Sequence, residues 1–217
     1  MKDIPVIRGR RYIAEAVAQG EHDTQDFKYL ISDARKIARS VSAFANAHGG
    51  RLLIGVKDNG TVAGVRNEED IYVVEQAASR YCDPPQEVEF TAFRTDPGVV
   101  VIRASIAQAA SRPVRVREAD GRLRAYYRVA DENVVAHPLL VRVWQYREQN
   151  APAAFELDAD AAALLAALRD HPDGLEPERL MLLLGTSRRR TEDLIVRLGA
   201  LGLLAFRHRP RFALLPV

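Results

Sequence analysis

The sequence predicts an α+β protein of two domains: a larger front domain of helices and strands over residues 1–149, a linker at 150–156, and a smaller C-terminal domain over 157–217. Three observations predict this. The stretch Ser42 to Gly64, SAFANAHGGRLLIGVKDNGTVAG, runs a helix end, a glycine stop, a short buried-type strand and a turn. Alternating apolar runs between Glu87 and Val129 are separated by the turn signals Asp96-Pro97-Gly98 and Asp120-Gly121, as strands are. Beyond Asn150-Ala151-Pro152-Ala153-Ala154 the texture changes to Ala/Leu helices followed by an arginine-rich hairpin.

At 217 residues, 47% of them hydrophobic, the chain can bury one large core or two modest ones. No stretch reaches the ~20 apolar residues a spanning helix needs, so no membrane role is expected. Met1-Lys2-Asp3-Ile4-Pro5 has no apolar core of a signal peptide. The single Cys82 excludes an internal disulfide and a cysteine-based zinc site. Cytoplasmic location is the expectation, with Cys82 as a buried filler. The net charge of +2 is unevenly placed: from Gly185 onward seven arginines stand against Glu192 and Asp193, a balance of +5 that leaves −3 for the preceding residues. A basic end on a mildly acidic body points to a polyanion-binding face. The alternative is a solvated arginine-rich surface.

The elements follow in order. Arg10 to Gln19 reads as a short helix with Tyr12, Ile13, Ala16 and Val17 on one face, ended by Gly20. A turn and a strand through Phe27 and Tyr29 come next. Ser32 or Asp33 caps a long helix reaching His48, its apolar stripe formed by Ala34, Ile37, Ala38, Val41 and Ala45. His48-Gly49-Gly50 stops it, because glycine takes the left-handed cap conformation freely. Leu52 to Val56 is a strand, and Gly55 within it predicts a close backbone approach. Asp58-Asn59-Gly60 turns the chain, and Thr61 to Val65 is expected to return as a second strand. Asn67-Glu68-Glu69-Asp70 opens a helix with acids at its positive end, and Asp83-Pro84-Pro85 breaks it. Strands at Glu87–Arg94, Val99–Ile106, from Arg112-Pro113-Val114 and at Arg122–Val129 complete the sheet section. Pro138 begins a helix expected to close the first domain near Gln149.

In the C-terminal domain, Asp158–Arg169 and Pro177–Leu184 are helices, and Gly185-Thr186 is a turn. Ser187 caps a third helix with Leu194, Ile195, Leu198 and Leu201 inward, stopped by Gly202. Leu203–Phe206 and Phe212–Leu215 are strands joined by Arg207-His208-Arg209-Pro210-Arg211. Three helices and a basic hairpin make a winged helix-turn-helix, with the hairpin as wing. Arg188, Arg189 and Arg190 at the start of the recognition helix oppose its dipole, a cost of roughly a few tenths of a kcal/mol each that a phosphate would relieve. Arg207, Arg209 and Arg211 on the wing suit the backbone or minor groove. The same domain could instead serve dimerisation.

The ordered set Gly20-Glu21, Asp26-Phe27-Lys28, Ala43-Phe44-Ala45-Asn46, Gly49-Gly50, Ile54-Gly55-Val56 and Asp58 resembles the Schlafen-type AlbA-like domain (Schlafen AlbA-2), a bacterial module shared with the N-terminal core of animal Schlafen proteins. The resemblance spans roughly Gly9 to Gln149. It implies a mixed sheet with helices, and a family that holds both presumed DNA-binding and RNA-cutting proteins. In the RNA-cutting members an acidic trio occupies these motif positions, and the resemblance carries it onto Glu21, Asp26 and Asp58. Such a trio would take Mg²⁺ or Mn²⁺, with Lys28 as a phosphate contact. Here Asp26 replaces the usual glutamate, shortening the ligand by one methylene. One lobe of the two-lobed nuclease core is encoded, which a homodimer would complete. In the alternative structural reading Glu21 caps or pairs locally, Asp26 is a solvated strand residue and Asp58 opens a turn.

Nucleotide binding has little in its favour: no GxxxxGK[ST] occurs, and no GxGxxG opens a helix after a strand. His22 and His48 read as loop residues. The leading expectation is a homodimeric nucleic-acid-binding protein, a DNA-binding transcriptional regulator with no required cofactor. The rival is a metal-dependent endoribonuclease acting on structured RNA such as tRNA. A third reading is a module that binds a nucleotide or a protein without chemistry.

Overall fold

The computed structural model describes residues 4–65, 69–149 and 157–217, in two compact units, Met1–Val135 and Ala136–Val217. The expected linker at 150–156 and the helix start at Asn67-Glu68 lie outside the described residues. Seven α-helices and three sheets are formed among the described residues, a mixed α+β architecture. No helix among them is long and apolar enough to cross a membrane.

The first unit is layered around one helix. In chain order it holds β1 (Val6–Arg8), α1 (Arg10–Ala18), β2 (Gln25–Lys28), α2 (Ala34–Asn46), β3 (Gly50–Ile54) and α3 (Glu69–Gln76), which runs into a π-helical turn, Ala77–Tyr81. Strands β4 (Cys82–Asp83), β5 (Val88–Asp96), β6 (Val99–Ile106), β7 (Arg115–Arg117), β8 (Leu123–Val129) and β9 (Glu132–Val135) follow. The larger sheet has the order β1-β5-β6-β3-β2, with β1/β5 and β2/β3 parallel and the other pairs antiparallel. The smaller sheet, β4-β7-β8-β9, is antiparallel throughout.

Helix α2 starts where Asp33 accepts hydrogen bonds from the Arg35 and Lys36 amides. It lies between the sheets: Ile37, Val41 and Phe44 share one core with Leu52, Ile54 and Ile102 of the larger sheet and Val116 and Tyr126 of the smaller. On the other face of the larger sheet, Ile13 and Ala16 of α1 pack with Phe27, Leu53, Phe93 and Val101.

The expected second strand at Thr61–Val65 does not form; a single bridge, Val56 to Val62, stands in its place. Gly55, at φ +99°, turns its carbonyl to accept from both the Ala63 and Gly64 amides. A Cβ there would sit 2.6 Å from the Gly64 carbonyl carbon, so the anticipated close approach is the chain folding over itself. Strands β1 and β9 were not anticipated. Both are short, and β9 follows a turn made by Ala130 at φ 52°, where no glycine marks it.

The second unit begins earlier than the sequence suggests. Helix α4 (Pro138–Gln149) does not close the first unit: Leu139 and Val143 join the second unit's core instead. Helices α5 (Ala159–Asp170), α6 (Pro177–Leu184) and α7 (Arg188–Ala200) follow, then the antiparallel hairpin β10 (Leu204–Arg207) and β11 (Ala213–Pro216). Leu164, Leu168, Leu180, Leu194, Leu198 and Leu214 fill the centre. Asp158 and Ser187 cap α5 and α7, and Gly185 ends α6 in the left-handed conformation.

Candidate functional site

Two places in the chain concentrate polar chemistry, one in each unit. In the first unit, β2 alternates: Gln25 and Phe27 face α1, while Asp26 and Lys28 face the α2 layer. Asp26 is buried, 4% exposed. Its carboxylate accepts from Lys28 Nζ at 2.9 Å and from Ser40 Oγ at 3.3 Å, and Arg128 Nη2 stands 3.8 Å away. Arg128, 3% exposed, donates to the His22 and Gln25 carbonyls and to Asn133 Oδ1, and lies over the Phe44 ring. Asn133 in turn donates to Ser40 Oγ at 2.9 Å. Strands β2, β8 and β9 and helix α2 therefore meet in one hydrogen-bonded network.

Glu21 enters this network from the loop before β2. Its Oε1 accepts the Phe27 amide at 2.7 Å, and its carboxyl shares a hydrogen bond with Asp26. Burial, followed by that bond, pushes the Glu21 pKa up to about 7. For Asp26 burial acts upward too. It is outweighed by the hydrogen bond from Glu21 and by Lys28 and Arg128, and the pKa is lowered. The two carboxyls are thus pushed in opposite directions: Glu21 towards neutral pH, where it can give or take a proton, and Asp26 towards its ionised form.

The structure unites Glu21, Asp26 and Lys28 but leaves Asp58 outside. Asp58 lies exposed in the turn after β3, and among the described residues no three His, Cys, Asp or Glu side chains form a group able to hold a metal ion. The donor set does not fit Mg²⁺ or Mn²⁺ as the acidic trio would require. Asp26 already neutralises Lys28 and faces Arg128, and such cations need several free oxygens. Arg128 was missed in the sequence; its inward register within the β8 run Ala125-Tyr126-Tyr127-Arg128 was the available signal.

The remaining motif residues are architectural. Asn46 donates to the Val114 and Tyr126 carbonyls and accepts the Val114 amide. Arg39 makes a two-pronged pair with buried Glu118, which also accepts from the Tyr126 hydroxyl. Cys82 is buried, and burial pushes its thiol up to about 12, leaving it inert.

In the second unit the arginines separate into two groups. Arg190 bridges to α5, pairing with Asp158 at 2.5 Å and Asp160 at 3.0 Å. Arg188 pairs with Glu192 at 2.7 Å along α7, Arg211 lies 3.8 Å from Glu176, and Arg207 donates to the Asp173 carbonyl. Arg189 is exposed and makes no ion pair among the described residues, and Arg209 is exposed on the hairpin. Of the six arginines expected to face a ligand, Arg190 is held within the fold and Arg188 and Arg211 carry acidic neighbours. The carboxylates answering Arg190 and Arg211, from Asp158, Asp160 and Glu176, lie before Gly185, so a charge balance taken from Gly185 onward excluded them.

A sequence-family model described as Schlafen, AlbA_2 matches residues 21–137, more than half of the chain. A comparison with curated proteins gives no match. Among solved structures, the chain is similar to the DIP2311 protein from Corynebacterium diphtheriae, at 22% identity and a TM-score of 0.41 over 73% of this chain and 32% of that one. It spans, in other words, about a third of that protein. It is also similar to the N-terminal domain of a putative ATP-dependent DNA helicase RecG-related protein from Nitrosomonas europaea, at 16% identity and a TM-score of 0.43, over 61% of this chain and 97% of that one.

Proposed function

The chain belongs to the Schlafen, AlbA_2 family, and from that premise we propose that it is a nucleic-acid-binding protein whose ligand is duplex DNA. The observation that carries the reading is the sequence of elements α6, a turn, α7 capped by Ser187 and a basic hairpin, with Arg189 exposed in the first turn of α7 and in no ion pair among the described residues. In this reading the second unit is a winged helix-turn-helix. Arg189 reaches the major groove from the start of the recognition helix, Arg188 exchanges Glu192 for a phosphate, and Arg209 on the wing follows the backbone. Arg190 holds α7 to α5 and serves orientation. Lys28, bound to Asp26, is not assigned to the ligand.

The protein acts as a homodimeric regulator of transcription in this proposal. Leu182 and Leu183 of α6, 68% and 45% exposed, are apolar surface suited to a second copy. Sedimentation tests that part. The binding reading is tested by fluorescence anisotropy of labelled duplex DNA over a salt series: affinity that falls steeply with salt supports it. No binding at low salt overturns it.

The nuclease reading is supported by the neighbouring carboxyls of Glu21 and Asp26, one pushed up by burial and the other lowered by its partners. Cleavage of structured RNA that is lost in both Glu21→Gln and Asp26→Asn would establish it over the binding reading.

A further inference from the structure

The first unit holds positive charge that no described residue answers. Strand β1 pairs with β5 in parallel, and the register places Arg8 beside Arg94. Both side chains point to the same face as Val6 and Ala92, which pack on the main core, while Ile7 and Phe93 point the other way, towards α1. Neighbouring strands lie only ~4.8 Å apart, so the two guanidinium stems start side by side. Both residues are exposed, and neither makes an ion pair or a side-chain hydrogen bond among the described residues. The nearest carboxylate along the chain, Asp96, stands 3.5 Å from Arg10.

Like charges in register on adjacent strands destabilise a sheet. Charge on an edge strand has an ordinary use, because it discourages a second chain from pairing there. That accounts for Arg8, since β1 is an edge. It does not account for Arg94, because β5 lies inside the sheet between β1 and β6 and has no edge to guard. An anion seated between the two guanidinium groups removes the repulsion and takes up their planar N–H forks, for which phosphate oxygens are the matching acceptor.

We propose that Arg8 and Arg94 together grip one backbone phosphate of bound duplex DNA, so that the first unit makes a contact of its own in addition to those of the second. The inference rests on the DNA-binding reading above and adds to it a second point of attachment.

The test is the salt dependence of duplex binding by the full chain, measured by anisotropy from about 50 to 200 mM KCl for wild type, Arg8→Gln/Arg94→Gln and Arg8→Lys/Arg94→Lys. Loss of one phosphate contact lowers the slope of log K against log salt by about 0.9, and the glutamine pair is expected to show that fall. The lysine pair keeps the charge and hence the slope, but loses the fork and binds more weakly. Because both side chains are exposed and the glutamines remove a like-charge contact, the melting temperature should stay at the wild-type value or rise slightly. If the glutamine pair is unfolded, Arg8→Gln alone, on the edge strand, takes its place and is expected to lower affinity. A glutamine pair with wild-type slope and affinity overturns this proposal and leaves the DNA reading standing. A wild type that binds no duplex, or binds only RNA, overturns both.

Discussion

Asn46 and Val114, 68 residues apart, exchange two hydrogen bonds of 2.8 Å: the side-chain amide donates to the Val114 carbonyl, and the Val114 N–H donates to Oδ1. The asparagine imitates a strand neighbour, and through Tyr126 it holds the smaller sheet against α2. Asn46→Ala would leave the Val114 carbonyl and amide and the Tyr126 carbonyl with fewer partners in a site closed to water. Ser42 Oγ still serves the Val114 carbonyl and accepts the Tyr126 amide, so part of the network survives. A loss of about 3 kcal/mol is expected in urea denaturation. A change under ~0.5 kcal/mol would show that the network carries no stability.

Glu21 makes stability depend on pH in a defined direction. Its pKa rises from 4.5 to about 7 on folding, so the folded chain binds its proton more tightly. The resulting contribution is fully present below pH 4.5 and is lost as pH rises through about 7. Asp26, with its pKa lowered from 3.8, acts oppositely: its contribution is present above 3.8 and lost as pH falls further. Between pH 4.5 and 7 the wild-type melting temperature is therefore expected to fall, and Glu21→Gln is expected to flatten that decline. An unchanged slope in the variant would assign the pH dependence elsewhere.

Gly55→Ala places a methyl group against the Gly64 carbonyl carbon and forces a side chain into φ +99°. Neither obstacle is a flexible side chain, so the crossover itself has to move. A loss of more than about 2 kcal/mol is expected by thermal or chemical denaturation.

Arg189 and Arg190 are neighbours with separable roles. Arg189→Gln is expected to weaken duplex binding and lower the salt slope by about 0.9, with an unchanged melting temperature. Arg190→Gln removes the pairs to Asp158 and Asp160 and is expected to lower the second unit's melting temperature. The opposite pattern would exchange the assignments.

The elements with strong local signals were readable in advance. Pro177–Leu184, Val99–Ile106 and the Ser187 cap follow from a proline start, a long β-branched run and a side-chain oxygen before a helix. The site was less legible, for a physical reason. Asp26 could be picked out by its place before Phe27-Lys28, but whether it is free to bind a metal depends on Arg128, about a hundred residues away. Asp58 sits in a turn near the others in sequence and yet forms no cluster with them. The same holds for Arg190, whose partners lie some thirty residues earlier, at the start of α5.

Placing α2 between two sheets shields it from water on both sides, and Phe44, Ala45 and Asn46 are fully buried. Its backbone protons can then trade with solvent deuterium only when the layers part altogether. In the first unit those protons should be the last to exchange, and they should report its global unfolding free energy, whereas loop amides exchange through smaller local openings.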